Sequence, residues 1–129
     1  MKKALNPPTL RPAFGNYSHG ILMPNSGSMI MTSGQLGVDV NNVIPKDFEA
    51  QAVLCFEAIR KILEEGGMDF SHVVRLHGFV TRREDFPTYM AVRDRYVVAP
   101  MPASTLIIVT GFTRPEFLVE VEATAIKPD

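Results

Sequence analysis

The sequence predicts a two-layer α+β domain in which two helices cover one face of a mixed β-sheet, in the order β-β-α-β-α-β-β. Three observations carry this reading. One long segment repeats its apolar residues at helical spacing, and two later segments alternate with a period of two. Between those two stands a shorter helical stripe that opens on a proline.

The long segment follows Pro45. Phe48, Ala52, Cys55/Phe56, Ile59 and Ile62/Leu63 recur at steps of three and four, with Glu49, Glu57, Arg60, Lys61 and Glu64 between them. This is an amphipathic helix of about five turns, stopped by Gly66-Gly67. Cys55 lies on its apolar stripe and is expected in the core. From Val73 to Thr81 the period falls to two. Val74, Leu76, Gly78 and Val80 form one face, and Val73, Arg75, His77 and Phe79 the other.

Asp85-Phe86-Pro87 opens the second helix, because proline is tolerated in a first turn. Phe86, Tyr89/Met90, Arg93 and Tyr96/Val97 share one stripe of it, with Arg93 the exception in character, and Pro100 and Pro102 stop it. An apolar strand over Thr105 to Gly111, a turn at Thr113–Glu116 and a final strand over Phe117 to Ile126 complete the chain. At the other end, Ser18–Met23 and Met29–Ser33 read as a hairpin about the turn formers Pro24–Ser28. Gly34–Gly37 and Asp39–Pro45 read as loop. Residues 1–13, with Pro7, Pro8 and Pro12, read as an extended arm.

A chain of 129 residues fits a single domain, 1–129. A net charge of −1 gives no electrostatic footprint for nucleic acid. The basic pairs Arg82-Arg83 and Arg93/Arg95 have Glu84, Asp85 and Asp94 beside them, as solvated helix faces do. One cysteine permits no internal disulfide and suits a reducing compartment. The opening M-K-K-A-L-N-P-P is too poor in apolar residues for a signal peptide, and no apolar run approaches a membrane span. A cytoplasmic protein without membrane attachment is expected.

The last strand points to assembly. Phe117, Val119, Val121, Ala123 and Ala125 make a small apolar face suited to packing beneath helices. Leu118, Glu120, Glu122, Thr124 and Ile126 make a face half apolar and half charged, like that of Arg75, His77 and Phe79. A solvated face would carry fewer large apolar groups, and a monomer core would not hold two carboxylates. Subunit packing with polar sites at the edges fits both, and a homo-oligomer is expected.

His19, His72 and His77 lack the spacing of a metal site, so no metal is expected. Ser33-Gly34-Gln35-Leu36-Gly37 lacks the phosphate-loop pattern and reads as a strand-ending turn. Glu120 and Glu122 lie on one face of a strand with Cβ atoms about 6–7 Å apart. At an interface at least one would be partly desolvated and its pKa raised, as a general acid/base near neutral pH requires. Equally, both could pair with arginines across the interface.

Seven short segments, in order, resemble one family: G-N-Y-S-H (Gly15–His19), T-S-G-Q (Thr32–Gln35), E-A-Q (Glu49–Gln51), L-E-E-G-G (Leu63–Gly67), E-D-F (Glu84–Phe86), P-A-S-T (Pro102–Thr105) and V-E-V-E-A (Val119–Ala123). They are similar to the reactive-intermediate deaminases, or RidA/YjgF/L-PSP endoribonuclease-like family, and are collinear from about residue 13 to 127. The resemblance implies a chorismate-mutase-like fold and a homotrimer with small-molecule sites in the clefts between subunits. It also implies cofactor-free, metal-free hydrolysis of imines and enamines to keto acids and ammonia. Tyr17, Gly34, Thr105 and Glu120 match the family's site-lining positions. The family's carboxylate-binding arginine is Ser104 here, its helix-2 asparagine is Met90, and its cysteine two residues after the arginine is Leu106. The resemblance therefore implies Glu120 as the catalytic carboxylate. Tyr17, Gly34, Ser104 and Thr105 would contact the substrate, and Arg93 or an arginine of a neighbouring subunit would be a substitute cation. A small 2-imino acid would fit poorly without the guanidinium. The rival readings are a non-catalytic small-molecule binder or holdase using the same cleft, and RNA cleavage, against which the charge argues.

Overall fold

The computed structural model describes residues 2–10, 12–24 and 27–129. Seven strands and two α-helices follow in order: β1 Lys3–Leu5, β2 Gly20–Leu22, β3 Ser28–Met31, β4 Gln35–Leu36, α1 Phe48–Glu65, β5 Val73–Val80, α2 Phe86–Arg93, β6 Ala103–Ile108 and β7 Val119–Lys127. The main sheet runs β3-β7-β5-β6, with β4 also paired to β7. Only β5 and β6 are parallel within it, so the sheet is mixed, and both helices lie on one face as predicted.

α1 forms where its stripe requires. Asp47 caps it by accepting from the Ala50 N–H at 3.0 Å, and Gly67 leaves it at φ +75°. Ala52, Cys55, Phe56, Ile59 and Leu63 are fully buried against Val119, Val121 and Ala125 of β7. Each of the large side chains contributes about 1.5–3 kcal/mol of transfer free energy. Cys55 is in this core, as expected, its Sγ 3.8 Å from the Val119 carbonyl oxygen.

Several boundaries differ from expectation. The N-terminal hairpin does not form: β2 pairs with β1 in a separate two-stranded sheet, while β3 pairs antiparallel with β7. The proline-rich arm thus carries a strand of its own, and the ladder with β7 satisfies β3's backbone groups. Of the predicted turn, Asn25 and Ser26 lie outside the described residues. Gln35 and Leu36, read as loop, form β4 on β7. A register shift between Val73 and Arg75 buries Val73 and Val74 together, so Val73 leaves the face of Arg75, His77 and Phe79. α2 ends at Arg93, well before Pro100, and Tyr96 lies in the turn beyond. There its ring stacks on Phe56 with centroids 5.2 Å apart.

Candidate functional site

β7 positions the carboxylates. Its odd-numbered residues from Val119 to Ala125 are buried beneath the helices, so Glu120, Glu122 and Thr124 face the opposite side. Glu120 lies across from Phe79 of β5 and Leu36 of β4. The turn before β4 presses against it. A Cβ on Gly34 would stand 2.5 Å from Glu120 Cδ and 2.7 Å from Oε2, so only glycine lets the backbone approach the carboxyl this closely.

Half-buried there, Glu120 accepts no hydrogen bond from any described residue. Its carboxyl is held above the ordinary value, first by desolvation and second by Glu122 on the same face. That direction is the one its place on β7 predicts. Glu122 faces His77, with Oε1 3.4 Å from Nδ1, rather than an arginine of its own chain.

β6 begins at Ala103, two residues earlier than predicted, because its parallel register with β5 starts at Arg75↔Ala103. Ser104 and Thr105 therefore lie inside the strand and not at its mouth. Alternation sends them to opposite faces. Thr105 Oγ1 accepts from Arg75 Nη2 at 2.9 Å on the open face, whereas Ser104, paired with Leu76, faces the helix layer.

The segment Gly15–Ser18 runs beside this strand. Ser18 bridges Ala103, and its N–H donates to the Pro102 carbonyl at 2.9 Å. Tyr17 accepts from the Phe14 N–H at 3.1 Å through its hydroxyl and meets the His19 ring edge-on at 6.2 Å. Behind this segment stands Arg93 at the end of α2. It is 4% exposed, and its hydrogen bonds go to Asp94 Oδ1 at 3.2 and 3.3 Å. Its Nη2 lies 3.3 Å from where a Cβ on Gly15 would be.

The six predicted residues thus form two groups. Gly34 and Glu120 meet at β4 and β7. Tyr17, Ser104 and Arg93 gather around the outer edge of β6, with Thr105 beside them on the other face. β5 separates β6 from β7, and Ser104 lies in the row of Leu76 and Ala123, three residues along β7 from Glu120, so the two stand about 14 Å apart at the backbone. Ser104 and Glu120 also face opposite sides of the sheet. Within one chain, no small molecule touches both.

Gln51 lies in the E-A-Q segment of α1. It is fully buried, donating to the Pro45 and Glu116 carbonyl oxygens at 2.8 and 2.9 Å and accepting from the Leu118 N–H at 2.9 Å. These bonds fix the entry to β7 two residues before Glu120. An amide at a helical position otherwise reserved for apolar residues was the available signal. Among the described residues no group of three His, Cys, Asp or Glu side chains is arranged to hold a metal ion, and no helix is long and apolar enough to cross a membrane.

The chain is similar to several known proteins. A profile described as "Endoribonuclease L-PSP" matches residues 8–127. "Protein DfrA" of Myxococcus xanthus is 32% identical over 127 residues, covering 97% of this chain and 95% of that protein. A "2-iminobutanoate/2-iminopropanoate deaminase" of Salmonella typhimurium is 29% identical over 131 aligned positions, covering 98% and 99%. Among solved structures, that of a Rid-family protein of Yersinia pestis superposes with a TM-score of 0.84 at 24% identity, over 98% of each chain. That likeness carries the chorismate-mutase-like α+β fold. With a family match over nearly its whole length and relatives aligned end to end, this chain belongs to the L-PSP endoribonuclease, or RidA/YjgF, family.

Proposed function

We propose that the protein hydrolyses an imine, enamine or related C–N bond of a small metabolite, at a cleft completed between subunits of a homotrimer. The observation that carries this reading is Glu120: half-buried, without a hydrogen-bond partner among the described residues, and with its carboxyl held above the ordinary value. Such a group accepts a proton from water as the oxygen attacks the C=N carbon. It returns a proton to the nitrogen as the C–N bond breaks, so that imine and water become carbonyl and amine. The relatives named as imine deaminases supply the reaction class.

The division of the residues supports a cleft between subunits, and the family resemblance supports three copies. A neighbouring copy would bring its β6 edge, with Tyr17, Ser104 and Thr105, against Gly34 and Glu120. Tyr17 would shape the pocket, and the two hydroxyls would hold the substrate by hydrogen bonds. Arg93 stands close behind as the nearest buried cation. Because Ser104 replaces a guanidinium, a substrate carboxylate loses a bidentate contact worth about 2–5 kcal/mol. The preferred substrate is therefore not a small 2-imino acid.

RNA cleavage has less support. The net charge is −1, and Arg60, Arg82, Arg93, Arg95 and Arg114 are each paired with a carboxylate. Imines generated in situ by an amino-acid oxidase, with release of the carbonyl product followed for wild type, Glu120→Gln and Ser104→Arg, test the proposal. Glu120→Gln should lose about 10²–10⁴-fold in turnover, and Ser104→Arg should gain on small imino acids. Efficient wild-type turnover of those imino acids would refute the role given to Ser104. Full activity of Glu120→Gln on the true substrate would refute the catalytic role of Glu120, and ligand binding without turnover would leave a ligand-binding protein. Sedimentation equilibrium should give about 43 kDa, three copies of 14.3 kDa, and a stable monomer at micromolar concentration would refute the intersubunit cleft.

A further inference from the structure

A break in one ladder brings Gly34 onto Glu120. β3 stops on the pair Met31↔Thr124, and β4 begins on Gln35↔Val121. Thr32, Ser33 and Gly34 therefore stand opposite only Glu122 and Ala123. One extra residue on one strand is a β-bulge, which bends that strand and re-aims what it carries. An unbroken ladder would pair Gly34 with Val121 and carry Gln35 on to Glu120.

Thr32 closes the ladder at this break. Its N–H donates to the Ala123 carbonyl at 2.9 Å, as in an ordinary antiparallel pair. The return bond goes to the side chain: the Ala123 N–H donates to Thr32 Oγ1 at 3.0 Å. The hydroxyl thus replaces the residue's own carbonyl as acceptor, and the Ala123 N–H keeps a partner inside the sheet. At the crest of the bulge Gln35 Nε2 donates to the Ser33 carbonyl at 3.1 Å. Gly34 follows, so close to the carboxyl that a Cβ on it would stand 2.5 Å from Glu120 Cδ.

Around the carboxyl, Leu36 of β4 and Phe79 of β5 are apolar. Glu122 is the charge that acts on it along β7, with His77 beside Glu122 and the Cys55 thiol beneath the sheet. Thr32 itself is uncharged. Any influence it has on Glu120 passes through where Gly34 lies.

We propose that Thr32 is a positioning residue for the reaction read from Glu120: its hydroxyl, as acceptor for the Ala123 N–H, holds the bulge that lays Gly34 on the carboxyl and keeps water from it. Its importance to turnover rests on the hydrolytic role proposed for Glu120, whereas its hold on the carboxyl is measurable without substrate.

Carbon-13 NMR of the glutamate-labelled full-length protein follows the Glu120 carboxyl against pH, its resonance identified by its loss in Glu120→Gln. Thr32→Val removes the acceptor and keeps the branched shape, and Thr32→Ser keeps the acceptor. Ile30→Val trims a β3 side chain packed on the core, loosening the same strand without touching the bulge. The Glu120 midpoint should fall toward its ordinary value of 4.5 in Thr32→Val, as water reaches the carboxyl, and stay in place in Thr32→Ser and Ile30→Val. Thr32→Ala, which also lacks the acceptor, replaces the valine variant if that does not fold. On the imine that an amino-acid oxidase forms from leucine, kcat should fall by up to about 100-fold in Thr32→Val, with KM less affected, and serine should restore it. A midpoint unchanged in Thr32→Val, or lowered equally in Thr32→Ser or Ile30→Val, overturns the assignment whatever the turnover. Full turnover by Glu120→Gln would overturn the hydrolytic role and leave the hold on the carboxyl standing.

Discussion

Replacing Gln51 by leucine isolates the contribution of one buried amide to the placement of the carboxylate strand. Leucine has a similar volume, so the cavity left is small, and the change is essentially the loss of three hydrogen bonds: to Pro45, Glu116 and Leu118. At about 1 kcal/mol net each they account for about 3 kcal/mol, and leaving two carbonyls and one N–H without partners raises the total to about 3–5 kcal/mol. For 129 residues the entropy of unfolding makes 1 kcal/mol equivalent to about 4 °C, so the melting temperature should fall by about 11–18 °C. Urea and thermal unfolding at matched protomer concentration measure this, since assembly would otherwise shift the midpoint. Gln51→Glu supplies the control. A carboxylate can accept from Leu118 but faces the Pro45 and Glu116 carbonyls with no proton to donate. It should be at least as damaging as leucine at neutral pH and recover in acid. A loss below about 1 kcal/mol for leucine, or a glutamate variant insensitive to pH, would refute the reasoning.

Gly34→Ala should abolish most turnover with little loss of secondary structure, because the new Cβ would displace the Glu120 carboxyl; circular dichroism alongside the imine assay distinguishes this from unfolding. Glu120 binds its proton more tightly in the folded protein than in the unfolded chain. Its stabilising contribution is therefore complete below its ordinary value of 4.5 and is lost as pH rises through the higher folded value. Glu120→Gln should accordingly gain stability relative to wild type between pH 4 and pH 7, and urea midpoints that move together would refute it. Tyr89 is fully buried, its hydroxyl pressed against Gly78 without a hydrogen-bond partner among the described residues. Tyr89→Phe should therefore stabilise by about 1 kcal/mol, or about 4 °C, and a destabilised variant would show that the hydroxyl has a role.

The elements legible in the sequence were those whose order is local. α1 announces itself through an uninterrupted stripe and caps at both ends, and β5 and β7 through alternation over eight and nine residues. β3 was assigned to the wrong partner because its true one, β7, lies nearly a hundred residues away, and four residues of strand encode no register. β6 was placed two residues late for the same reason: Ala103 and Ser104 become strand through pairing with Arg75 and Leu76, not through apolar character of their own. Of the site, Glu120 could be read because strand parity places it on a mixed face. The separation of Ser104 from Thr105 onto opposite faces needed the register. The burial of Arg93 was hidden because α2 stops at that residue, and only the packing of Gly15 against it shows where the guanidinium lies.

Ser104 and Glu120 face opposite sides of one sheet, and under the proposed function this would tie the protein's chemistry to its self-recognition. If two surfaces of the same polypeptide must meet to make a pocket, every residue that governs how copies dock also sets the spacing between carboxylate and hydroxyl. A substitution far from either group that tilts one copy by a few degrees then acts as an active-site mutation. Dilution acts as an inhibitor, and two relatives that exchange subunits would produce hybrid pockets that neither sequence encodes alone. Diversification of substrate within such a fold can proceed through the contact between copies as readily as through the pocket wall.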